Sequence, residues 1–108
     1  MSLKIIESDQ VIDDVISTAD RIAQQAGLNA SDRFLQAVKG AYRQIADMPG
    51  LGSVQDYGQP ELKGMRRWHI TKFPKYLVFY IVTPAELIIL RVLHGSQDIE
   101  TIFAPSEE

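Results

Sequence analysis

Apolar residues recur along this chain with two different periods. Between Asp9 and Ala26, the residues Val11, Ile12, Val15, Ile16, Ala19, Ile22, Ala23 and Ala26 fall three and four positions apart. That spacing gathers side chains on one face of a helix. Ser8 or Asp9 can cap its start, Asp9, Asp13 and Asp14 suit the positive end of the helix dipole, and Gly27 can take the left-handed backbone that ends it. The period returns in Phe34, Leu35, Val38, Ala41, Tyr42, Ile45 and Ala46, after the cap candidates Asn29 and Ser31, and stops at Met48-Pro49-Gly50. A connection of about three residues makes the two helices fold back as an antiparallel pair. Their apolar faces are too wide to bury each other, so another layer must cover them.

The remaining segments follow the period of a strand. Leu3 to Glu7 is a short apolar run that predicts an edge strand. Residues 49–62 hold Gly and Pro without periodicity and predict a loop between helices and sheet. Met65 to Thr71, Tyr76 to Thr83 and Leu87 to His94 then predict three strands, separated by Lys72-Phe73-Pro74-Lys75 and by Pro84-Ala85-Glu86. Connections this short make an antiparallel meander. The second and third strands are apolar on both faces. One face covers the helices, and the other is either a partner patch or is covered by the chain's own tail. Pro105 to Glu108 reads as a frayed end. The prediction is an α+β fold in one domain over residues 1–108. An N-terminal edge strand and an antiparallel helix hairpin pack on a three- to four-stranded antiparallel sheet.

Composition narrows the function classes. A chain of 108 residues, 45% hydrophobic and 23% charged, can build one core without staples. The absence of cysteine excludes a disulfide scaffold, a Cys-based zinc site and a thiol nucleophile, and it fits a reducing cytoplasm. No apolar run approaches the ~20 residues of a membrane span, so the expectation is a cytoplasmic protein without a membrane partner. The net charge of -3 argues against a protein that coats nucleic acid, and direct nucleic-acid binding is not expected. Lys63, Arg66, Arg67, Lys72 and Lys75 nevertheless form a basic island with no acid among them. It reads as the rim of a hairpin or as a site for an anionic partner.

Few residues suggest chemistry. There is no Gly-rich phosphate loop, paired-His spacing or Gly-x-Ser-x-Gly elbow, so neither a metal nor a cofactor is expected. His69 shares a strand face with Arg67 and Thr71, and its default reading is a partly buried strand histidine. His94 ends the last strand before Gly95, where a ring N–H can tie the strand to the next loop. Arg91 is the one charge in an apolar run and must reach water or pair with an acid such as Asp98. Trp68 and Tyr80 can stack a base or fill the core, and packing is the commoner fate of strand aromatics.

Four runs taken in order resemble a known family: Ala30-Ser31-Asp32-Arg33-Phe34-Leu35, Ile45-Ala46-Asp47-Met48-Pro49-Gly50-Leu51-Gly52, Tyr76-Leu77-Val78-Phe79-Tyr80, and Arg91-Val92-Leu93-His94-Gly95 with Asp98 beyond. Over about residues 10 to 103 the chain is similar to the ParE branch of the ParE/RelE toxins. The resemblance implies a small α+β toxin of a bacterial type II toxin-antitoxin (plasmid stabilization) module, expected to inhibit DNA gyrase without being an enzyme and to be neutralised by a cognate antitoxin. For antitoxin binding it points to Phe34, Val38, Tyr42, Arg66, Arg67, Tyr80 and Arg91, and for toxicity to Arg91, His94, Asp98 and Phe103. The RelE-like alternative is a ribosome-dependent endoribonuclease. There Arg66, Arg67 or Lys75 would hold the phosphate and Tyr80 or His94 would act as acid or base. The family motif usually has Arg where this chain has Gln97, which, with the net charge of -3, weighs against phosphate chemistry. A third reading is a degenerate, non-toxic copy that only binds antitoxin.

Overall fold

The computed structural model describes residues 2–105, so the end expected to fray lies mostly outside the described residues. Along the chain run β1 (Lys4–Glu7), α1 (Asp9–Ala26), α2 (Leu28–Asp47), β2 (Ser53–Val54), a 3-10 turn (Pro60–Leu62), β3 (Arg66–Ile70), β4 (Phe73–Val82), β5 (Glu86–His94) and α3 (Ile99–Phe103). The strands form one sheet in the order β1-β5-β4-β3-β2. β1 pairs parallel to β5, and every other pair is antiparallel. The sheet has five strands rather than three or four. The extra one is the two-residue β2, taken from the stretch read as loop because so short a run carries no period.

The α1 cap is the predicted one. Ser8 Oγ accepts from the Val11 N–H at 3.0 Å and donates to the Leu90 carbonyl at 2.7 Å. The cap therefore also pins the helix start to β5. The helix connection is tighter than expected, a single Gly27 at φ 92° and ψ 169°, backbone that side chains other than glycine's rarely adopt. Asn29 and Ser31 are consequently not caps but lie within α2. Ser31 is buried, and its hydroxyl donates to the Ala19 carbonyl at 2.9 Å, joining the two helices.

The hairpin buries Val11, Phe34, Val38, Tyr42 and Ile45 against Ile70, Val78, Tyr80, Leu87, Ile89 and Val92 of the sheet. On the opposite face Met65, Phe79, Leu93 and Phe103 form a second core, flanked by Tyr57, Leu62, Ile99 and Ile102. The second face is thus covered by the chain's own tail. Gln59 Nε2 fastens the cover by donating to the carbonyls of Phe103 and Ala104 at 2.6 and 3.1 Å.

Two irregularities set which side chains face where. The β4–β5 register moves from Phe79↔Arg91 to Tyr80↔Ile89, leaving Leu90 as an extra residue, a β-bulge. Past the bulge the alternation shifts, so Val92 joins Leu87 and Ile89 under the helices while Leu90 and Leu93 join the second core. The β3–β4 turn is Thr71-Lys72 alone, with Lys72 at φ 73°. Phe73, Pro74 and Lys75 belong to β4 rather than to the turn. Phe73 is held there because its ring meets Phe34 edge-on at 5.4 Å. Among the described residues no helix is long and apolar enough to cross a membrane.

Candidate functional site

The bulge aims Arg91 at α1. Its Nε and Nη2 donate to the two carboxylate oxygens of Asp14, both at 2.8 Å, and Asp14 Oδ2 also accepts the Val92 N–H at 3.1 Å. The partner of Arg91 is therefore Asp14, not Asp98, and the bonds to that carboxylate raise the guanidinium's already high pKa. Asp98 instead caps α3, accepting from the Thr101 N–H and hydroxyl at 3.3 and 2.7 Å. Those two bonds hold its carboxyl below the ordinary aspartate range.

Between them lies the turn that ends β5. His94 Nδ1 accepts from the Ser96 N–H at 3.0 Å, so the ring is an acceptor in this turn and not the expected donor. Its face or edge meets Tyr76 at 4.9 Å and nearly perpendicular. Gln97 Oε1 closes the turn by accepting from the His94 N–H at 2.7 Å. The half-buried His94 and the exposed Gln97 and Asp98 thus share one corner of the surface, while Phe103 lies in the second core.

Tyr80 is fully buried. Its hydroxyl donates to the Pro49 carbonyl and accepts from the Gly52 N–H, both at 2.8 Å. A Cβ at Gly52 would lie 2.6 Å from that oxygen, so only glycine fits. Burial raises the Tyr80 pKa, opposed by the Gly52 bond and by Arg66. Arg66 donates to the Gly52 carbonyl from the same side. Both residues hold the loop that follows α2, and neither offers a platform for a base.

The sequence model of the family described as "ParE toxin of type II toxin-antitoxin system, parDE" matches residues 5–99. The chain belongs to this ParE toxin family. The match runs from within β1 to the first residue of α3 and so takes in both long helices and all of the sheet but Lys4. Among solved structures, the "Chromosomal ParDE TA system from P. aeruginosa" has a similar fold, with a TM-score of 0.70 at 14% identity over 86% of this chain and 96% of that one. A search of curated proteins found no match.

In this ParE toxin the helix residues singled out for antitoxin contact, Phe34, Val38 and Tyr42, are core residues that present no side chain to a partner. Their spacing marked a buried face, and the sheet of the same chain buries it. The Tyr42 hydroxyl has no hydrogen-bond partner among the described residues. Burial raises its pKa, and the nearby Glu7 and Asp14 add to the shift. Trp68 packs half-buried against the helix-side core, whereas His69 is exposed rather than partly buried.

The basic island is dispersed: Lys63 borders a depression with Val54 and Pro60, Arg66 bonds the Gly52 carbonyl, and Lys75 is exposed beside the His94 turn, its own carbonyl accepting from the Gly95 N–H at 2.7 Å. Arg67 lines a shallow depression with Ser53, His69, Leu77, Gly95 and Ile99. Lys72 borders a larger groove between α2 and the β3–β4 turn, with a volume of about 680 Å³. Sequence reasoning missed this groove, although Gly40 in the middle of α2 was a visible signal. No group of three or more His, Cys, Asp or Glu among the described residues is placed to hold a metal ion.

Proposed function

We propose that this ParE family member arrests bacterial growth by binding DNA gyrase, and that a cognate antitoxin neutralises it. The family match over residues 5–99 carries the reading. The corner of His94, Gln97 and Asp98 is the target-facing surface, with the Arg91–Asp14 pair before it in the chain and Phe103 in the second core. A mechanism by binding alone is supported by the fate of the residues a nuclease would use. Tyr80 is buried and bonded at both lone pair and proton, and Arg66 is committed to a carbonyl, while Arg67, Lys75 and His94 stay at the surface. Phosphodiester cleavage needs an acid and a base as well as a cation around one phosphate, and the loss of the Tyr80 phenol leaves His94 as the one acid–base candidate of that set.

The test is induction of the protein in a bacterial host with and without the adjacent small gene, followed by supercoiling assays with purified gyrase. Arrest with filamentation, relief by the neighbour and inhibited supercoiling are the expected results. Immediate loss of protein synthesis with cut transcripts would overturn the reading in favour of the ribosome-dependent nuclease. Normal growth with soluble protein accumulating would overturn it in favour of a non-toxic copy.

A further inference from the structure

The bonds inside the turn that ends β5 fix what it can offer to a partner. His94 Nδ1 is taken by the Ser96 N–H at 3.0 Å and by Ser96 Oγ at 2.7 Å, so the neutral ring carries its proton on Nε2. That nitrogen is open to water, because Tyr42 Oη is the one buried side-chain polar atom without a partner among the described residues. Gln97 Oε1 is taken by the His94 N–H, which leaves the amide NH2 as the free end of that side chain. The carboxylate of Asp98 is engaged by the Thr101 N–H and hydroxyl. Each of these bonds uses an acceptor, and the turn is left with donors.

The same polarity continues round the edge of the sheet. Tyr76 of β4 pairs with His94 of β5, and the two rings meet almost perpendicularly at 4.9 Å. The Tyr76 ring also packs on Phe34 at 5.2 Å, which fixes its position. Its hydroxyl oxygen accepts from Arg21 Nη2 of α1 at 3.3 Å, and its proton has no acceptor among the described residues. Arg21 is exposed, and its guanidinium makes no other hydrogen bond and no ion pair among the described residues. A long bond between groups that water can reach contributes little to the fold.

Arg21, Tyr76, His94 and Gln97 therefore form a row of donors drawn from α1, β4, β5 and the following turn, with the acceptors between them already used. Ionised carboxylates are the side chains that only accept, and charge-assisted bonds to them are the strong ones. A nucleic-acid backbone is the poorer match, since it calls for a cation at each of several phosphates and the row holds one. The row is continuous with the corner assigned above to the target.

We infer that the target-facing surface extends from His94 over Tyr76 to Arg21 and that it takes a carboxylate side chain of gyrase. The inference rests on the gyrase reading above and adds the contacting residues and the chemistry they meet. It is tested on the full chain in supercoiling assays with purified gyrase, each variant being checked by thermal melting. Tyr76→Phe keeps the ring and should melt like the parent, while at least fivefold more protein is needed for half-inhibition. Arg21→Gln should show a similar loss and a weaker salt dependence of inhibition. His94→Gln places an amide donor near the position of Nε2 and should inhibit at least tenfold more strongly than His94→Glu, which places an acceptor there. Parent-like inhibition by folded Tyr76→Phe and Arg21→Gln would overturn the extension and leave the gyrase reading standing. Equal inhibition by the two His94 variants would overturn the donor role. Intact inhibition with at least tenfold weaker antitoxin binding in the same variants would overturn the inference in favour of the antitoxin as occupant. A parent chain that leaves gyrase fully active would overturn the gyrase reading and this one with it.

Discussion

Replacing Tyr80 by Phe separates a structural from a chemical role for the most suggestive aromatic on the sheet. The substitution keeps the ring in the core and removes one oxygen, which donates to Pro49 O and accepts from Gly52 N–H. Gly52 is buried and its N–H then has no acceptor, while Pro49 is only half-buried and water can reach its carbonyl. The full penalty for an unsatisfied buried group therefore applies once and a smaller one applies to the carbonyl, about 2–3 kcal/mol together. With an unfolding entropy of about 2.1 cal/mol/K per residue, a chain of this length should melt about 10 °C lower. Circular dichroism melting measures that shift, and induction at a reduced temperature measures growth arrest by the folded variant. The expected pair of results is a lowered melting temperature with arrest retained. An unchanged melting temperature would refute the hydrogen-bond accounting. Unchanged melting with arrest abolished would make the phenol a chemical group, as the nuclease reading requires.

Two further changes test the polar contacts around α1. Asp14→Asn removes the charge from a bidentate pair whose side chains are 21% and 13% exposed. The loss should lie between that of a surface pair and that of a buried one, about 2 kcal/mol in urea unfolding, and a variant as stable as the parent would contradict the role given to Arg91. Tyr42→Phe deletes a hydroxyl with no partner, so stability near neutral pH should be unchanged or raised by up to about 1 kcal/mol. Its folded pKa is raised, chiefly by burial, so above the ordinary tyrosine range the unfolded chain releases a proton that the folded chain keeps. Stability from this group is full below that range and declines as pH rises through it. Urea midpoints at about pH 8 and about pH 10.5 should therefore fall less in the Phe variant than in the parent.

Features that depend on near neighbours were legible in the sequence. The α1 helix was readable from Ser8 to Gly27 because cap, period and stop lie on one segment. The strands β3 to β5 were readable because apolar runs and short connections determine a meander. What failed depended on distant partners. Ser31 has the residue type of a cap, but its hydroxyl finds Ala19 across the hairpin and the residue is drawn into the helix. Phe73 and Pro74 read as a turn, yet the contact of Phe73 with Phe34 extends β4 back to them. The bulge at Leu90 has no glycine or proline to announce it, and strict alternation assigns the residues beyond it to the wrong faces.

The same division explains the candidate site. Periodicity reports that a face is buried and not what buries it, so Phe34, Val38 and Tyr42 looked like a docking face until the sheet of the same chain was placed over them. A lone charge in an apolar run reports that it needs a partner and not which one, and the partner of Arg91 lies 77 residues away on α1. Residues that satisfy one another inside the fold are thereby removed from the list that can meet a target or antitoxin. Tyr80 leaves the list in this way, fully buried with both hydrogen bonds made, whereas Arg66 and Arg91 are bonded within the chain but stay partly exposed.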